Sequence, residues 1–396
     1  MIDFELALGI TQEHCRDFGE EVVSLENAMN RVVREDWFCD RDLPPYDRVT
    51  MDGIAINYDG SVNRSELRIE NVVAAGKPKY SLLNPENCVE IMTGAILPEG
   101  ADTVIRYEDV EIHGDTARIM TDYRKGQNVH WKGEDRKKND CVVASGKMIG
   151  GPEIGIGASI GKTETKVSAL PKTLLISTGD ELVDIHEIPL PHQIRKGNIY
   201  RIKAALAQNG IIADTAHLQD DMEEIVPAIR AFLSNYDLIL LSGGVSKGKF
   251  DFLPEALDKC GVQKHFHRVA QRPGKPMWFG THPDGATVFA LPGNPISSFM
   301  CYTVYVQPWI AKCFGGSTEN QPTAILQEEV FFKPDLTYFL EVRIAFNDKG
   351  QILAYPHKGH GSGDLANLTG ADAFIRLDRG QTTYTKGSTY LIYFYR

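Results

Sequence analysis

Apolar residues change their spacing along the chain, and these changes divide it into regions of different predicted structure. Over the first 43 residues the apolar positions recur at helical spacing, and Ser24 precedes one such run as a predicted helix N-cap. From 44 to 139 short Val- and Ile-rich runs are broken by Gly, Pro and Asp, which predicts a β-rich lobe. Residues 140–167 continue in short, glycine-rich strands. We therefore expect 1–43 and 140–167 to form an elongated helix-and-strand domain into which the lobe 44–139 is inserted.

Residues 168–316 show a different pattern, in which continuous apolar runs alternate with amphipathic ones. The predicted strands are 172–177, 211–215, 237–241 and 287–291, and the predicted helices are 200–208, 222–233, 252–259 and 295–314. Strands that are apolar on both sides and alternate with helices indicate a parallel α/β sheet covered on both faces. After this region, short alternating runs predict a small β domain over 317–396.

Composition narrows the classes of protein to consider. The chain has 396 residues, a formal net charge of −11 and 42% hydrophobic residues, which is typical of a multidomain globular protein. The negative charge argues against non-specific binding to nucleic acid or to anionic membranes. The seven cysteines are scattered and form no CxxC pair, so neither a disulfide framework nor a zinc site is predicted. The N-terminus lacks the apolar core of a signal peptide, and we expect a cytoplasmic protein.

Polar motifs follow each predicted strand of the α/β region. Residues 177–181, with Thr178 and Gly179, follow the first strand, Asp220 and Asp221 the second, 242–246 the third and 291–295 the last. In an open parallel sheet the loops after the strands converge at the carboxyl edge, where ligands bind. Four independent polar loops at one edge therefore predict a binding cleft.

Two of these loops have the chemistry of an anion site. Ser242, Gly243, Gly244 and Ser246 combine hydroxyls with glycines that let the backbone approach a phosphate, although a tight turn would explain the glycines equally well. The segment Pro292, Gly293 and Asn294 enters a helix, which Asn294 can cap and whose positive end favours an anion.

Charged residues near the same edge suggest two further functions. Arg272 and Lys275 stand in a loop of prolines and glycine and are candidates for binding an oxyanion, the alternative being a solvated basic turn. The carboxylates of Glu181, Asp221 and Asp251, with Asp220, are candidates for Mg²⁺ or ribose binding, because Mg²⁺ bridges acids and phosphate oxygens. Any one of them alone is more often a cap or a surface acid.

Three spots in the β-rich lobe are unexplained by composition. Asp52 precedes a glycine, Thr93 stands in Met-Thr-Gly-Ala, and Asp135 follows Gly-Glu, so each is typical of a turn.

Six segments, taken in order, resemble those of the molybdopterin molybdenumtransferases, the family of bacterial MoeA and of the C-terminal domain of gephyrin. The segments are PPYDRVTMDGIAI, IMTGAILPEGADTVIRYED, LLISTGDELV, LSGGVSKGKFD, QRPGKPMWFG and ALPGNPISSF. The resemblance covers residues 10 to 310 strongly and the last 80 residues weakly. It implies an α/β domain of molybdopterin-binding type, a barrel-like C-terminal domain, and an enzyme that inserts molybdate into adenylylated molybdopterin, with Mg²⁺, releasing AMP.

The resemblance also implies roles for individual residues. Gly243, Gly244 and Ser246 would hold the pterin phosphate, and Arg272 and Lys275 would attract molybdate or a terminal phosphate. Glu181, Asp221 and Asp251 would contact metal, pterin or AMP. A homodimer is implied, in which the lobe of a second subunit, with positions matching Asp52, Thr93 and Asp135, completes the cleft. A molybdopterin adenylyltransferase is the candidate partner, and the sequence leaves open whether it delivers the substrate.

Some positions depart from the family pattern. Arg272 stands where lysine is common, and Lys196 and Gly197 replace the usual acid and serine beside Asn198, which fits a ligand-loop asparagine. Glu341 stands where the family often has arginine, with Arg343 two residues on as a weak substitute. Ser362 lies in a C-terminal loop that is expected to face the cleft.

Two alternatives remain open at this stage. The chain could be a carrier or gephyrin-like scaffold that binds molybdopterin without turnover, or its α/β domain could serve another nucleotide, as in competence-damage-like hydrolases. The retained Asp52, Asp221, Asp251 and Lys275 argue against the first, and the motifs of the β-rich lobe argue against the second. The sequence does not distinguish molybdate from tungstate.

Overall fold

The chain forms two compact units. The computed structural model describes residues 1–245, 252–315 and 321–396. One unit comprises Met1–Arg34, Gly146–Gly150 and Thr165–Arg396, and the other comprises Glu35–Ser145 and Gly151–Glu164. The finer division into four domains, with boundaries near 43, 139, 167 and 316, stays a prediction.

A six-stranded sheet with helical connections lies at the centre of the first unit. Its strands are β1 (Thr173–Thr178), β2 (Ala213–Leu218), β3 (Leu238–Ser242), β4 (Gln263–His267), β5 (Trp278–Thr281) and β6 (Thr287–Leu291). The helices connected to it are α1 (Gly197–Ala207), α2 (Met222–Leu233), α3 (Leu253–Lys259) and α4 (Pro295–Cys301). The sequence predicted all four helices and four of the strands.

The strand order is β2-β1-β3-β6-β5-β4, and only the first four strands are parallel. β5 runs antiparallel to both β6 and β4, so the expectation of a wholly parallel sheet was wrong at one edge. The prediction of parallel strands rested on alternation of strands with helices. No helix connects β4 to β5, so a parallel crossover between them is not possible. The predicted parallel α/β arrangement is confirmed for the four strands that carry the polar loops.

Both faces of this sheet are covered. Alternate residues of the strands point to opposite sides, so Leu175 and Leu240 pack with α1 and α4, whereas Ile176 and Leu241 pack with α2 and α3. Each of these side chains is at most 1% exposed, and burial of such a side chain stabilises the fold by roughly 1.5–3 kcal/mol.

The N-terminal region is less helical than its apolar spacing suggested. A helix covers Phe4–Glu13, but Glu20–Ser24 is a strand, and Ser24 precedes only a short 3₁₀ helix, Leu25–Asn27. Val32 and Val33 form bridges to Met148 and Val167 instead of continuing a helix. The helix predicted after Ser24 was therefore wrong, because long-range pairing satisfies that backbone in an extended form.

In the second unit the β-rich lobe is a six-stranded sheet, as predicted. In spatial order its strands are Thr103–Arg106, Gly53–Ile56, Cys88–Ile91, Glu66–Val73, Thr116–Ile119 and Val110–His113. Smaller elements of this unit are the strand pairs Trp37–Phe38 with Cys141–Val143 and Arg48–Val49 with Val129–His130, and the helix Tyr58–Ser61. The prediction of strands alone over 140–167 was wrong, since Gly151–Ser159 is a helix despite its three glycines.

The C-terminal region closes into a small barrel. Its ring consists of Thr337–Phe346, Ile352–Pro356, Thr323–Leu326, Thr389–Phe394 and Ala373–Leu377, the last of which pairs with the first. Val330–Phe331 pairs with Thr383–Tyr384 beside it. The strand Gln271–Arg272 adds in parallel to Thr337–Phe346, which brings the basic loop next to the barrel.

Two further helical segments follow α4, the π-helix Tyr302–Val306 and the α-helix Gln307–Cys313, so the predicted long helix is confirmed. Within the described ranges no helix has the length and apolarity needed to cross a membrane.

Candidate functional site

A cleft of about 990 Å³ lies at the carboxyl ends of β1, β3 and β6. The ends are aligned by the sheet register, in which Ser177 pairs with Ser242 and Ser242 with Leu291. The predicted convergence of the polar loops is therefore confirmed. Ten predicted site residues line the cleft: Thr178, Gly179, Glu181, Asn198, Ser242, Gly243, Gly244, Pro292, Gly293 and Asn294.

The glycines of the third loop are required by close contact with the first loop. Gly243 and Gly244 have φ of 105° and 68°, which side chains rarely adopt. A Cβ at either position would also lie 2.9 or 3.0 Å from Oγ1 of Thr178. The Gly243 N–H donates to the carbonyl of Leu291 at 3.1 Å, so it holds the two loops together and is not available to a ligand.

Asn198 joins two loops of the cleft through its side chain. Its Nδ2 donates to the carbonyl oxygen of Gly293 at 2.7 Å and to Oγ of Ser242 at 3.1 Å. Both acceptors belong to lining residues, so Asn198 sets the spacing of the loops after β3 and β6.

Asn294 has a different contact from the one predicted. It occupies the N-cap position of α4, with Pro295 at the start of the helix, but its side chain makes no capping hydrogen bond. Its Nδ2 instead donates to Oγ of Ser362 at 3.0 Å, and Gly363 next to Ser362 lines the cleft. The expected approach of this C-terminal loop to the cleft is confirmed.

Among the described residues, the acidic residues that line the cleft are Glu181 and Asp220. Asp221 is exposed and caps α2, where its side chain accepts from the N–H of Glu223 at 2.9 Å. Asp251 and Ser246 lie outside the described residues. Across residues 1–245, 252–315 and 321–396 no group of three or more His, Cys, Asp or Glu side chains is arranged to hold a metal ion.

Mg²⁺ nevertheless suits the donors that line the cleft. It binds proteins through one or two carboxylates, keeps several waters and takes its remaining ligands from substrate phosphates. Glu181 and Asp220 supply such a pair. The sequence analysis named Asp220 only in addition to its main candidates, which included the neighbouring Asp221.

The basic loop does not contribute its cations to the cleft wall. Arg272 and Lys275 are both exposed, and the Arg272 guanidinium lies 5.8 Å from the centre of the Phe332 ring on the barrel. Only Pro276 of this loop is among the lining residues. Within the described ranges, the basic residues that line the cleft are Arg195 and Lys196, and the sequence marked Lys196 only as a departure from the family pattern.

Glu341 and Arg343 lie two residues apart on one barrel strand and therefore on the same face of it. Glu341 is 8% exposed, its own burial raises the pKa of its carboxyl, and its partners include the amide of Asn367. Arg343 is exposed. Neither is among the cleft-lining residues.

In the second unit, the unexplained turn residues form two hydrogen-bonded groups. Oδ1 of Asp52 accepts from the N–H of Thr93 at 2.6 Å and from its hydroxyl at 2.8 Å, and these bonds lower the pKa of the Asp52 carboxyl. A second carboxylate, that of Asp135, lies 2.9 Å from Nε2 of His130, whose Nδ1 is 2.9 Å from an Arg48 nitrogen. Both acids are therefore held in defined orientations at an exposed surface.

Comparison with known proteins places the chain in a family. Residues 2–161 match the MoeA N-terminal region (domains I and II), residues 174–312 a probable molybdopterin binding domain, and residues 323–394 the MoeA C-terminal region (domain IV). A protein of Synechocystis sp. named molybdopterin molybdenumtransferase is 37% identical over 399 residues, covering 99% of this chain and 100% of the relative. The chain belongs to the MoeA family.

Other members agree with this assignment. A molybdopterin molybdenumtransferase of Staphylococcus aureus (strain Mu50) is 30% identical and covers 93% of this chain and 89% of its own length. The crystal structure of the molybdopterin biosynthesis MoeA protein from Pyrococcus horikoshii OT3 superposes with a TM-score of 0.82 at 26% identity and covers 100% of both chains. MoeA-family membership confirms the resemblance that the six segments indicated and makes this a protein of molybdenum cofactor biosynthesis.

Proposed function

We propose that this MoeA-family chain inserts molybdate into adenylylated molybdopterin and releases AMP and molybdenum cofactor. The observation that carries the proposal is the single cleft into which all four polar loops of the α/β sheet converge, in a chain whose full-length relatives are named for this reaction. A volume of about 990 Å³ is at the upper end of the range for cofactor-sized ligands, as an adenylylated pterin requires. The relatives' names favour this catalytic role over a carrier or scaffold.

The loop after β3 is the proposed phosphate site. Ser242, Gly243 and Gly244 of this loop line the cleft together with Thr178 of the first loop, and hydroxyls and backbone N–H groups are the donors that a phosphate prefers. Ser246, further along the same loop, is also proposed to bind the phosphate.

The proposed metal is Mg²⁺, held by Glu181 and Asp220 together with phosphate oxygens of the substrate. Bound between these carboxylates and the substrate, the ion would supply positive charge that stabilises the phosphate oxygens when AMP leaves. Asp221 and Asp251 stay predicted contributors to this metal site. Arg272 and Lys275 are proposed to attract the molybdate anion through their exposed positive charges at the edge of the barrel.

We propose further that the enzyme is a homodimer whose active site combines the cleft of one subunit with the β-rich lobe of the other. The support is the ordered pairs that hold Asp52 and Asp135 at an exposed surface of the lobe. We place the reaction in the cytoplasm, with a molybdopterin adenylyltransferase as the supplier of substrate.

Mixing two inactive variants tests the shared site. Asp52→Ala removes the lobe carboxylate and Glu181→Gln the cleft carboxylate, so in a mixed dimer one site carries both defects and the other carries neither. Random exchange of subunits should restore about a quarter of wild-type turnover. No recovery after verified subunit exchange would contradict a shared site.

Blocking the cleft tests the proposed function itself. Gly363 lines the cleft, and a Cβ there would meet no atom within 4 Å, so Gly363→Leu adds bulk without strain. We expect this variant to lose AMP release from adenylylated molybdopterin while its melting temperature stays that of the wild type. Gly151→Leu, also with open space at Cβ but in the second unit, is the matched control. Full turnover by Gly363→Leu would refute the assignment of the cleft.

A further inference from the structure

Two basic side chains line the cleft wall without a proposed role. Arg195 and Lys196 lie where the short strand Ile194–Arg195 meets α1. This strand pairs in parallel with Leu182–Val183, and the N–H of Lys196 donates to the carbonyl of Val183 at 3.0 Å. The backbone from which both side chains extend is therefore fixed.

Lys196 is the better placed of the two to bind a ligand. Arg195 is exposed, and its Nε donates to the carbonyl of Glu187 at 3.1 Å, outside the lining residues. Lys196 is half-buried, and among the described residues no carboxylate oxygen, including those of Glu181 and Asp220, lies within 4.0 Å of its Nζ. Hydrogen bonds from Tyr200 and Ile185 and, to a smaller extent, nearby charges that include Lys196 lower the pKa of Asp184, so this carboxylate is near Lys196 without forming an ion pair. A half-buried ammonium group without an ion pair is stabilised further when a bound ligand supplies an anion.

The surroundings of Lys196 also favour the binding of an anionic ligand. Lys196 immediately precedes α1, an eleven-residue helix whose positive end faces the same cleft. Thr178 also lines the cleft, but its hydroxyl oxygen is enclosed against Gly243 and Gly244. A phosphate-bearing ligand would therefore place its negative charge beside Lys196 and the N-terminal end of α1.

The charge of Lys196 also affects a histidine next to the cleft. Burial first, and then the charge of Lys196, lower the pKa of His217, and Nδ1 of His217 lies 2.9 Å from Oγ of the lining residue Ser177. The field of this lysine therefore extends beyond its own side chain to the end of β1.

We infer that Lys196 binds a phosphate group of the ligand and makes the cleft selective for a nucleoside monophosphate over the corresponding nucleoside. The inference rests on the proposed function for the nature of the ligand, because the phosphoanhydride of an adenylylated pterin carries such a group.

Binding of AMP and of adenosine by calorimetry tests this directly. We expect wild-type protein to bind AMP more tightly than adenosine, and Lys196→Met to bind AMP about tenfold more weakly, through loss of one partly screened charge-assisted hydrogen bond, with adenosine unchanged. Lys196→Arg should keep most of the AMP affinity. Lys203→Met is the matched control, because it removes the same charge from α1 at a position that does not line the cleft.

Two results would overturn the inference. One is equal AMP affinity in the wild type and Lys196→Met, and the other is a wild type that binds AMP no better than adenosine. AMP release from adenylylated molybdopterin, measured on the same wild-type protein, separates the two proposals. Lysine-dependent AMP binding without AMP release would leave this inference standing and refute the proposed function.

Discussion

Replacing Asn198 with alanine should loosen the cleft by removing the amide that joins two of its loops. The side chain donates to the Gly293 carbonyl at 2.7 Å and to the Ser242 hydroxyl at 3.1 Å, and no other side chain of the described residues has hydrogen bonds to both. In Asn198→Ala the loops after β3 and β6 keep their backbone contact, in which the Gly243 N–H donates to Leu291, but lose this cross-link.

The magnitude follows from the two hydrogen bonds. Each contributes about 0.5–1.5 kcal/mol net, and the buried Ser242 hydroxyl would lose one partner. Because Asn198 is half-exposed at an open cleft, water can replace part of the loss, so we expect a destabilisation of about 1–2 kcal/mol. For a unit of this size that corresponds to a fall in melting temperature of about 2–8 °C.

Calorimetry and AMP binding measure the two consequences. We expect Asn198→Ala to melt at a lower temperature in the transition of the first unit and to bind AMP more weakly. Asn235→Ala is the control, because Asn235 lies just after α2 and its amide donates to the carbonyl of Ala231 in the last turn of that helix. An Asn198→Ala protein with wild-type melting temperature and wild-type AMP affinity would refute the assignment of Asn198 as a bridge between loops.

Three further predictions concern single groups. Asp221→Ala should lower stability by about 0.5–2 kcal/mol through loss of the α2 cap, whereas Asp221→Asn should keep the cap and lose turnover, because the carboxylate of Asp221 is a proposed contributor to the metal site; unchanged AMP release by Asp221→Asn would remove this carboxylate from the site. Asp52→Ala should abolish AMP release and lower the melting temperature only slightly, since the two hydrogen bonds that it loses, both from Thr93, lie at an exposed surface; wild-type turnover in this variant would remove Asp52 from the site. The pKa of His217 is lowered from its ordinary value of 6.5, so as pH falls below 6.5 the unfolded chain takes up a proton that the folded chain resists, and stability declines. His217→Gln should therefore lose less melting temperature between pH 7.5 and 5.5 than the wild type, with the remainder due in part to His265, whose pKa is also lowered; an equal loss in both proteins would contradict this role.

Sequence periodicity predicted the α/β region well because local and tertiary signals agree there. The bounds of α2 and β6 coincide with the predicted ranges, since an amphipathic helix and a buried strand have distinct periods. The helix prediction for the region after Ser24 was wrong because local and tertiary signals disagree there. Its apolar residues have helical spacing, but Val32 and Val33 are buried by pairing with distant strands, which local spacing does not encode.

The cleft was predictable in position but not in its detailed contacts. The rule that loops meet at the carboxyl edge of a parallel sheet was enough to bring Thr178, Ser242 and Gly293 together. It does not determine side-chain partners, so Asn294 was predicted to cap a helix and instead bonds Ser362. The sequence marked Lys196 only as a departure from the family pattern and did not place it in the cleft, because it follows a two-residue strand that is too short for periodicity to detect.

The measurement that tests the central claim most directly is a single-turnover reaction of the purified chain with adenylylated molybdopterin and Mg²⁺, in the presence and absence of molybdate. We predict that AMP and molybdenum cofactor form together in equal amounts and only when molybdate is present. Tight binding of the substrate with no AMP release at any molybdate concentration would contradict the account and favour a carrier.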